Sequence, residues 1–156
     1  LYPDNDERAI FFAKGVVETV KKLNWVPDVI HVHGWMAALL PVYLKHYYKD
    51  EGIFTETKII SSVYEQGFEG ELDANLMSKM LFDNIDKENI DVIESPSYEN
   101  IMKLSIMHAD AVVIGSEKLS STLTKFIESS NKPFLPFAPK STIKEVYTSF
   151  IKNHVF

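Results

Sequence analysis

An α/β architecture, in which helices cover both faces of a parallel sheet, is what this 156-residue sequence predicts. Two observations carry the prediction. Apolar residues recur at three- and four-residue steps in some stretches and gather into short β-branched runs in others, and the two patterns alternate along the chain. The runs Asp28–His33, Lys58–Val63 and Asp110–Gly115 set apolar residues side by side rather than at every second place, as strands buried on both faces require.

The first element is a helix. Asp4 or Asn5 caps it, Asp6 and Glu7 lie in its first turn, and Lys21 and Lys22 lie in its last, all complementing the helix dipole. Ala9, Ala13, Val16, Val17, Val20 and Leu23 form its apolar face. Gly15 inside it costs roughly 1 kcal/mol relative to Ala, which points to close packing there. Asn24–Pro27 end the helix and the strand Asp28–His33 follows. After Gly34 the helical period returns through Trp35, Leu39, Val42 and Tyr43 and stops near Tyr48–Gly52.

Lys58–Val63 is the second strand, and the stretch Tyr64–Leu72, with two glycines and no period, is a loop at its carboxyl end. Helices are expected around Asn75–Ile85 and Tyr98–His108, separated by the polar turn Asp86–Asn89. The strand Ala111–Gly115 leads to a helix over Glu117–Glu128. Asn131–Lys140, with three prolines, is an extended connection to a last helix over Ile143–Ile151. This order defines a Rossmann-like sheet.

Composition narrows the function. With 46% hydrophobic and 24% charged residues, residues 1–156 suit a single globular domain. A net charge of -6 and no run of Lys or Arg argue against nucleic acid and against an anionic membrane surface. No apolar run reaches the ~18 residues that span a bilayer, and no leader pattern is present. The absence of cysteine removes a disulfide frame and a thiolate zinc site, so a cytoplasmic location is expected.

Ligands of parallel α/β sheets bind beyond the carboxyl ends of the strands. His33, Gly34, Trp35 and Met36, the loop Ser61–Gly67, and Gly115-Ser116 are therefore the candidate site. No GxGxxG or P-loop sequence supports phosphate binding. His31 and His33 alternate onto one strand face, but no third ligand stands at a supporting spacing, so neither a metal nor a cofactor is expected. His31 reads as packed with its ring nitrogens hydrogen-bonded, and His33 as lining the cleft. Glu65, Glu69, Glu71 and Asp73 read as a solvated loop cluster, and Ser61 lacks the setting of a hydrolase nucleophile.

The blocks Tyr2-Pro3-Asp4-Asn5-Asp6-Glu7-Arg8 and Trp25-Val26-Pro27-Asp28-Val29-Ile30-His31-Val32-His33-Gly34-Trp35, with Leu39-Leu40-Pro41 and Tyr43-Leu44, resemble the amino-terminal domain of bacterial glycogen synthases and plant starch synthases. That family reads Y-x-D-N-x-x-R-F and W-x-P-D-[VI]-[VI]-H-x-H-D-W-H at these places. Gln66-Gly67-Phe68 matches the end of H-N-[LI]-A-Y-Q-G, and Lys103 to Asp110 with Ser116 resembles K-A-G-x-x-x-A-D and the following V-S-P. The resemblance spans the first three quarters of the chain.

It implies part of the amino-terminal lobe of a GT-B glycosyltransferase. Such enzymes transfer glucose from ADP-glucose to an α-1,4-glucan in the cleft between two lobes. The donor-binding second lobe and the K-x-G-G-L loop of the first strand are absent from these 156 residues, and since the chain begins at Leu1, an upstream part of the natural protein is expected. Absence of the first strand would leave a sheet edge open, so self-association is expected.

The family's D-W-H is here Gly34-Trp35-Met36, and Ser61-Ser62 stand in place of His-Asn. The catalytic positions at Gly34, Met36 and Ser61 thus carry no catalytic group, while His33, Trp35, Gln66 and Gly67 are kept as substrate-binding residues. Two readings follow: a glycogen synthase-type glucosyltransferase whose isolated chain is inactive, and a non-catalytic descendant that binds a glucan or a protein.

Overall fold

In the computed structural model, which describes residues 1–156 other than residue 66, four parallel strands lie side by side in sequence order. They are β1 (Val29–His33), β2 (Lys58–Val63), β3 (Ala111–Ile114) and β4 (Phe134–Leu135). The register pairs Val29 with Lys58, Ile60 with Ala111, and Val112 with Phe134. Among the described residues β1 pairs only with β2 and is an edge. β4 falls inside the proline-rich connection: Pro133 accepts from the Val112 N–H, and two residues of extended chain suffice to close the ladder.

The helices are α1 (Asn5–Lys22), α2 (Leu40–Val42), α3 (Leu76–Phe82), α4 (Tyr98–His108), α5 (Ser121–Ser129) and α6 (Ile143–His154). The helix expected after Gly34 is broken into a 3-10 turn at Trp35–Ala37, the short α2 with Pro41 in its first turn, and a π turn at Tyr43–Tyr47. α3 ends early because Asn84 adopts a positive φ of 59°. α5 starts at Ser121 rather than Glu117 because the Ser120 hydroxyl accepts from the Leu123 N–H at 3.3 Å.

Side-chain alternation along the strands divides the interior in two. Val32, Ile59, Val63 and Val112 face a large core shared with α1, α2, α3, α4 and α5. Ile60, Ala111, Val113 and Leu135 face a smaller one under Phe150 of α6 and Val155 just beyond it. Helices therefore cover both faces. Ion pairs join α1 to α3: Lys79 Nζ meets the buried Asp6 at 2.6 Å and Glu7 at 2.8 Å, and Lys14 Nζ meets Asp83 at 2.6 Å. Gly15 differs from expectation: a Cβ there would meet nothing within 4 Å, so it opens the outer face of α1 instead of admitting a packed neighbour.

Candidate functional site at the carboxyl ends of the strands

At Gly34 the chain leaves β1 with φ 71° and ψ 178°, a backbone conformation open essentially to glycine alone. This turn sends Trp35 to the large-core side. The Trp35 ring meets Phe68 edge-on with centroids 5.0 Å apart, and Phe68 meets Tyr98 at 5.7 Å. Gly67 lies between them, where a Cβ would fall 2.5 Å from Trp35 Cδ1 and 2.7 Å from Tyr98 Cε2. Trp35 and Gly67 are thus brought together, and Gly67 is the residue that permits it. Gln66 lies outside the described residues.

His33 belongs to the other face of the sheet. Its Nδ1 is 2.8 Å from the Tyr64 hydroxyl, and the Tyr64 carbonyl accepts from the Tyr98 hydroxyl at 2.8 Å. Tyr64 therefore couples the two sides. Next to His33, with ring centroids 4.0 Å apart, His31 is held between the Ser62 hydroxyl at 2.7 Å from Nε2 and the Tyr147 hydroxyl at 2.5 Å from Nδ1. Burial, with the neighbouring His33 as a lesser cause, pushes His31 down to about 4, and burial lowers His33 as well. Both rings are neutral at pH 7.

These groups line a cavity of about 480 Å³ over the carboxyl ends of β1, β2 and β3. His33, Tyr64 and Gly115 line it from the strand ends, Phe137 and Lys140 from the connection between β4 and α6, and Tyr147 from α6. Tyr64 could have been singled out from its place directly after a strand. Tyr147, Phe137 and Lys140 carry no such signal, because only the docking of α6 onto the sheet brings them here.

Two expected site positions lie elsewhere. Met36 lines an apolar groove of about 800 Å³ along the outer face of α1 with Phe11, Phe12, Val16 and Trp25, so its thioether suits its surroundings. Ser61 is fully buried on the large-core side, where its hydroxyl is 2.8 Å from that of Ser105 on α4. Strand alternation separates it from the cavity that its neighbour Ser62 reaches. All four loop carboxylates are exposed, and two of them are hydrogen-bonded: Glu71 accepts from the Ser95 hydroxyl, and Asp73 accepts from the Asn75 N–H at 2.7 Å, which holds its carboxyl below the usual range. Among the described residues no group of three or more His, Cys, Asp or Glu could hold a metal ion, and no helix is long and apolar enough to cross a membrane.

Comparison with known proteins places this geometry in a family. The family model described as starch synthase catalytic domain matches residues 1–129. A glycogen synthase of Elusimicrobium minutum is 35% identical over 125 residues, which is 79% of this chain and 25% of that protein. A glycogen synthase of Thermosipho melanesiensis is 36% identical over 110 residues, 70% of this chain and 23% of that protein. The chain spans about a quarter of the length of the curated relatives it matches. The catalytic domain of Starch Synthase IV from Arabidopsis thaliana, solved bound to ADP and acarbose, shares the fold with a TM-score of 0.69 at 16% identity, covering 88% of this chain and 30% of that one. The chain belongs to the starch synthase catalytic domain family.

Proposed function

We propose that residues 1–156 form an incomplete amino-terminal glycogen synthase-like lobe that binds α-glucan and by itself transfers no glucose. In a complete family protein the activity would be ADP-glucose-dependent α-1,4-glucosyl transfer, with the acceptor against this lobe. His33, Trp35, Gln66 and Gly67 are the residues assigned to sugar binding. One observation supports loss of transfer in this chain. Where the family has D-W-H, Gly34 occupies a glycine-only backbone conformation, and Met36 lines the α1 groove rather than the strand-end cavity. A hydrogen bond to charge developing in a dry site can contribute roughly 3–4 kcal/mol, and neither residue supplies one.

Self-association belongs to the same reading. Among the described residues β1 is an edge strand, and Trp25 and Val26, about 60% exposed, shortly precede it in the chain. A cytoplasmic setting accords with the absence of cysteine.

Radiolabelled-glucose incorporation into glycogen from ADP-glucose, with a full-length glycogen synthase as control, tests the absence of transfer. Retardation of the chain in a glycogen-containing native gel tests binding. Incorporation above the no-enzyme blank would overturn the first claim, and unretarded migration would overturn the second.

A further inference from the structure

The strand-end cavity is assembled from two stretches of chain with different origins. His33, Tyr64 and Gly115 come from the part that matches the family, whereas Phe137, Lys140 and Tyr147 come from beyond residue 129, where the match ends. The family match therefore covers only part of its lining.

Five of its twelve lining residues carry rings: His31, His33, Tyr64, Phe137 and Tyr147. Ring faces suit the CH surfaces of a sugar ring, and the hydroxyls at their rims suit its edges. The hydrogen-bonded chain Tyr147–His31–Ser62 can serve a ligand without rearranging. A neutral His31 carries one ring proton, so it donates from one nitrogen and accepts at the other. In one tautomer Ser62 donates to Nε2, Nδ1–H donates to Tyr147, and the Tyr147 hydroxyl donates into the cavity; in the other Nε2–H donates to Ser62, Tyr147 donates to Nδ1, and the Tyr147 oxygen accepts from the cavity.

Charge then selects among sugars. The chain has 22 Asp and Glu against 16 Lys and Arg, yet among the described residues no carboxylate lines this cavity. Lys140 is its one cation, and it makes no ion pair among the described residues. A neutral glucan offers Lys140 only uncharged hydroxyl acceptors, whereas a phosphate ester offers a hydrogen bond between opposite charges. At about 480 Å³ the cavity is in the range of small-molecule sites, roughly 300–1,000 Å³, and suits one sugar residue rather than a length of polymer.

We propose that this cavity binds a single hexose bearing a phosphate ester, with the ring between Tyr64 and Tyr147 and the phosphate at Lys140. The proposal rests on the carbohydrate-binding reading above and names a ligand class for the α6 side of it.

Calorimetric titration of the chain with glucose 1-phosphate, glucose, inorganic phosphate and maltoheptaose tests it, with histidine-ring NMR reporting on His31 and His33. Glucose 1-phosphate is expected to bind about tenfold more tightly than each of the other three, shifting both ring resonances. Lys140→Ala should abolish that advantage without weakening glucose, and Lys140→Arg should retain it. Both variants lie at an exposed position, so the fold is kept. Equal binding of inorganic phosphate would reduce the site to an anion contact and overturn the proposal, as would silence of both histidines. Maltoheptaose binding with no response to glucose 1-phosphate would overturn it while leaving the glucan reading intact. The reverse pattern would sustain it and remove the glucan reading.

Discussion

Tyr64 rests its ring on Gly115: a Cβ at position 115 would lie 2.4 Å from Tyr64 Cε1 and 2.8 Å from Cδ1. Gly115 directly follows β3, and its N–H donates to the Val63 carbonyl at 2.7 Å, so the backbone cannot give way without breaking the sheet. The ring must move instead. Gly115→Ala should displace Tyr64, remove the partner of His33 Nδ1 and lower stability by about 1–3 kcal/mol through overpacking. Urea unfolding reads the stability, and the His33 ring resonance reads the lost bond. An unshifted His33 signal would show that Tyr64 is not the residue that holds it.

Gly34→Asp, the substitution that restores the family's carboxylate, should destabilise rather than activate. Its φ of 71° with ψ 178° costs a non-glycine residue roughly 1–3 kcal/mol. Gly34→Ala should cost the same, because the penalty lies in the backbone and not in the charge. The double change Gly34→Asp with Met36→His is expected to leave glucose incorporation at the blank. Thermal unfolding of the two single variants checks the first claim; a clear difference between Ala and Asp would refute it.

The Ser61–Ser105 pair predicts a non-additive cycle. Both residues are fully buried with hydroxyls 2.8 Å apart, so Ser61→Ala strands a hydroxyl on α4 and should cost about 1–3 kcal/mol. Adding Ser105→Ala removes the stranded group, and the double variant should be less destabilised than the sum of the singles. Additive losses in urea unfolding would mean that the two hydroxyls do not depend on each other.

What could be read from the sequence was whatever depends on local pattern. Lys58–Val63 and Tyr98–His108 coincide with β2 and α4, because a β-branched run and a helical period capped at Ser97 are decided within a few residues. That His31 and His33 share one face of β1 follows from strand alternation in the same way. The failures are tertiary. β4 is two residues long and owes its existence to pairing with β3, which no periodicity announces. Met36 and Ser61 sit near the candidate site in sequence, but the turn at Gly34 and the alternation of β2 aim them elsewhere. Tyr147 is more than a hundred residues from His31 and reaches it only because α6 covers the sheet.

The β1 edge predicts association that depends on flanking apolar residues. Sedimentation velocity should show a concentration-dependent rise in mass for the unaltered chain. Trp25→Lys with Val26→Lys should abolish it, since charges beside an open strand oppose pairing with a second chain. A monomer at all concentrations for the unaltered chain would remove self-association from the proposal.

Stability should fall as the pH drops from about 6.5 toward 4, and two histidines account for the window. His31 and His108 are each pushed from 6.5 to about 4, chiefly by burial. At His108 the geometry reinforces this: Nε2 donates to the Asn89 carbonyl at 2.8 Å, which leaves Nδ1 to accept from His46 Nε2 at 3.2 Å. Protonating His108 would place a second donor against His46, whose own value is also lowered by burial. Lys45 and Lys132 stand close enough to oppose the added charge. The folded values lie below the unfolded one, so the unfolded chain binds more protons between pH 6.5 and 4 and gains relative to the native state as acid is added. The contribution is complete above pH 6.5 and is lost on the way to 4. Urea midpoints measured from pH 7.5 to 4.5 should decline through this range. His108→Gln, which keeps a donor to Asn89 without titrating, should flatten the decline. A midpoint that rises on acidification, or a His108→Gln profile as steep as that of the unaltered chain, would refute the assignment to these rings.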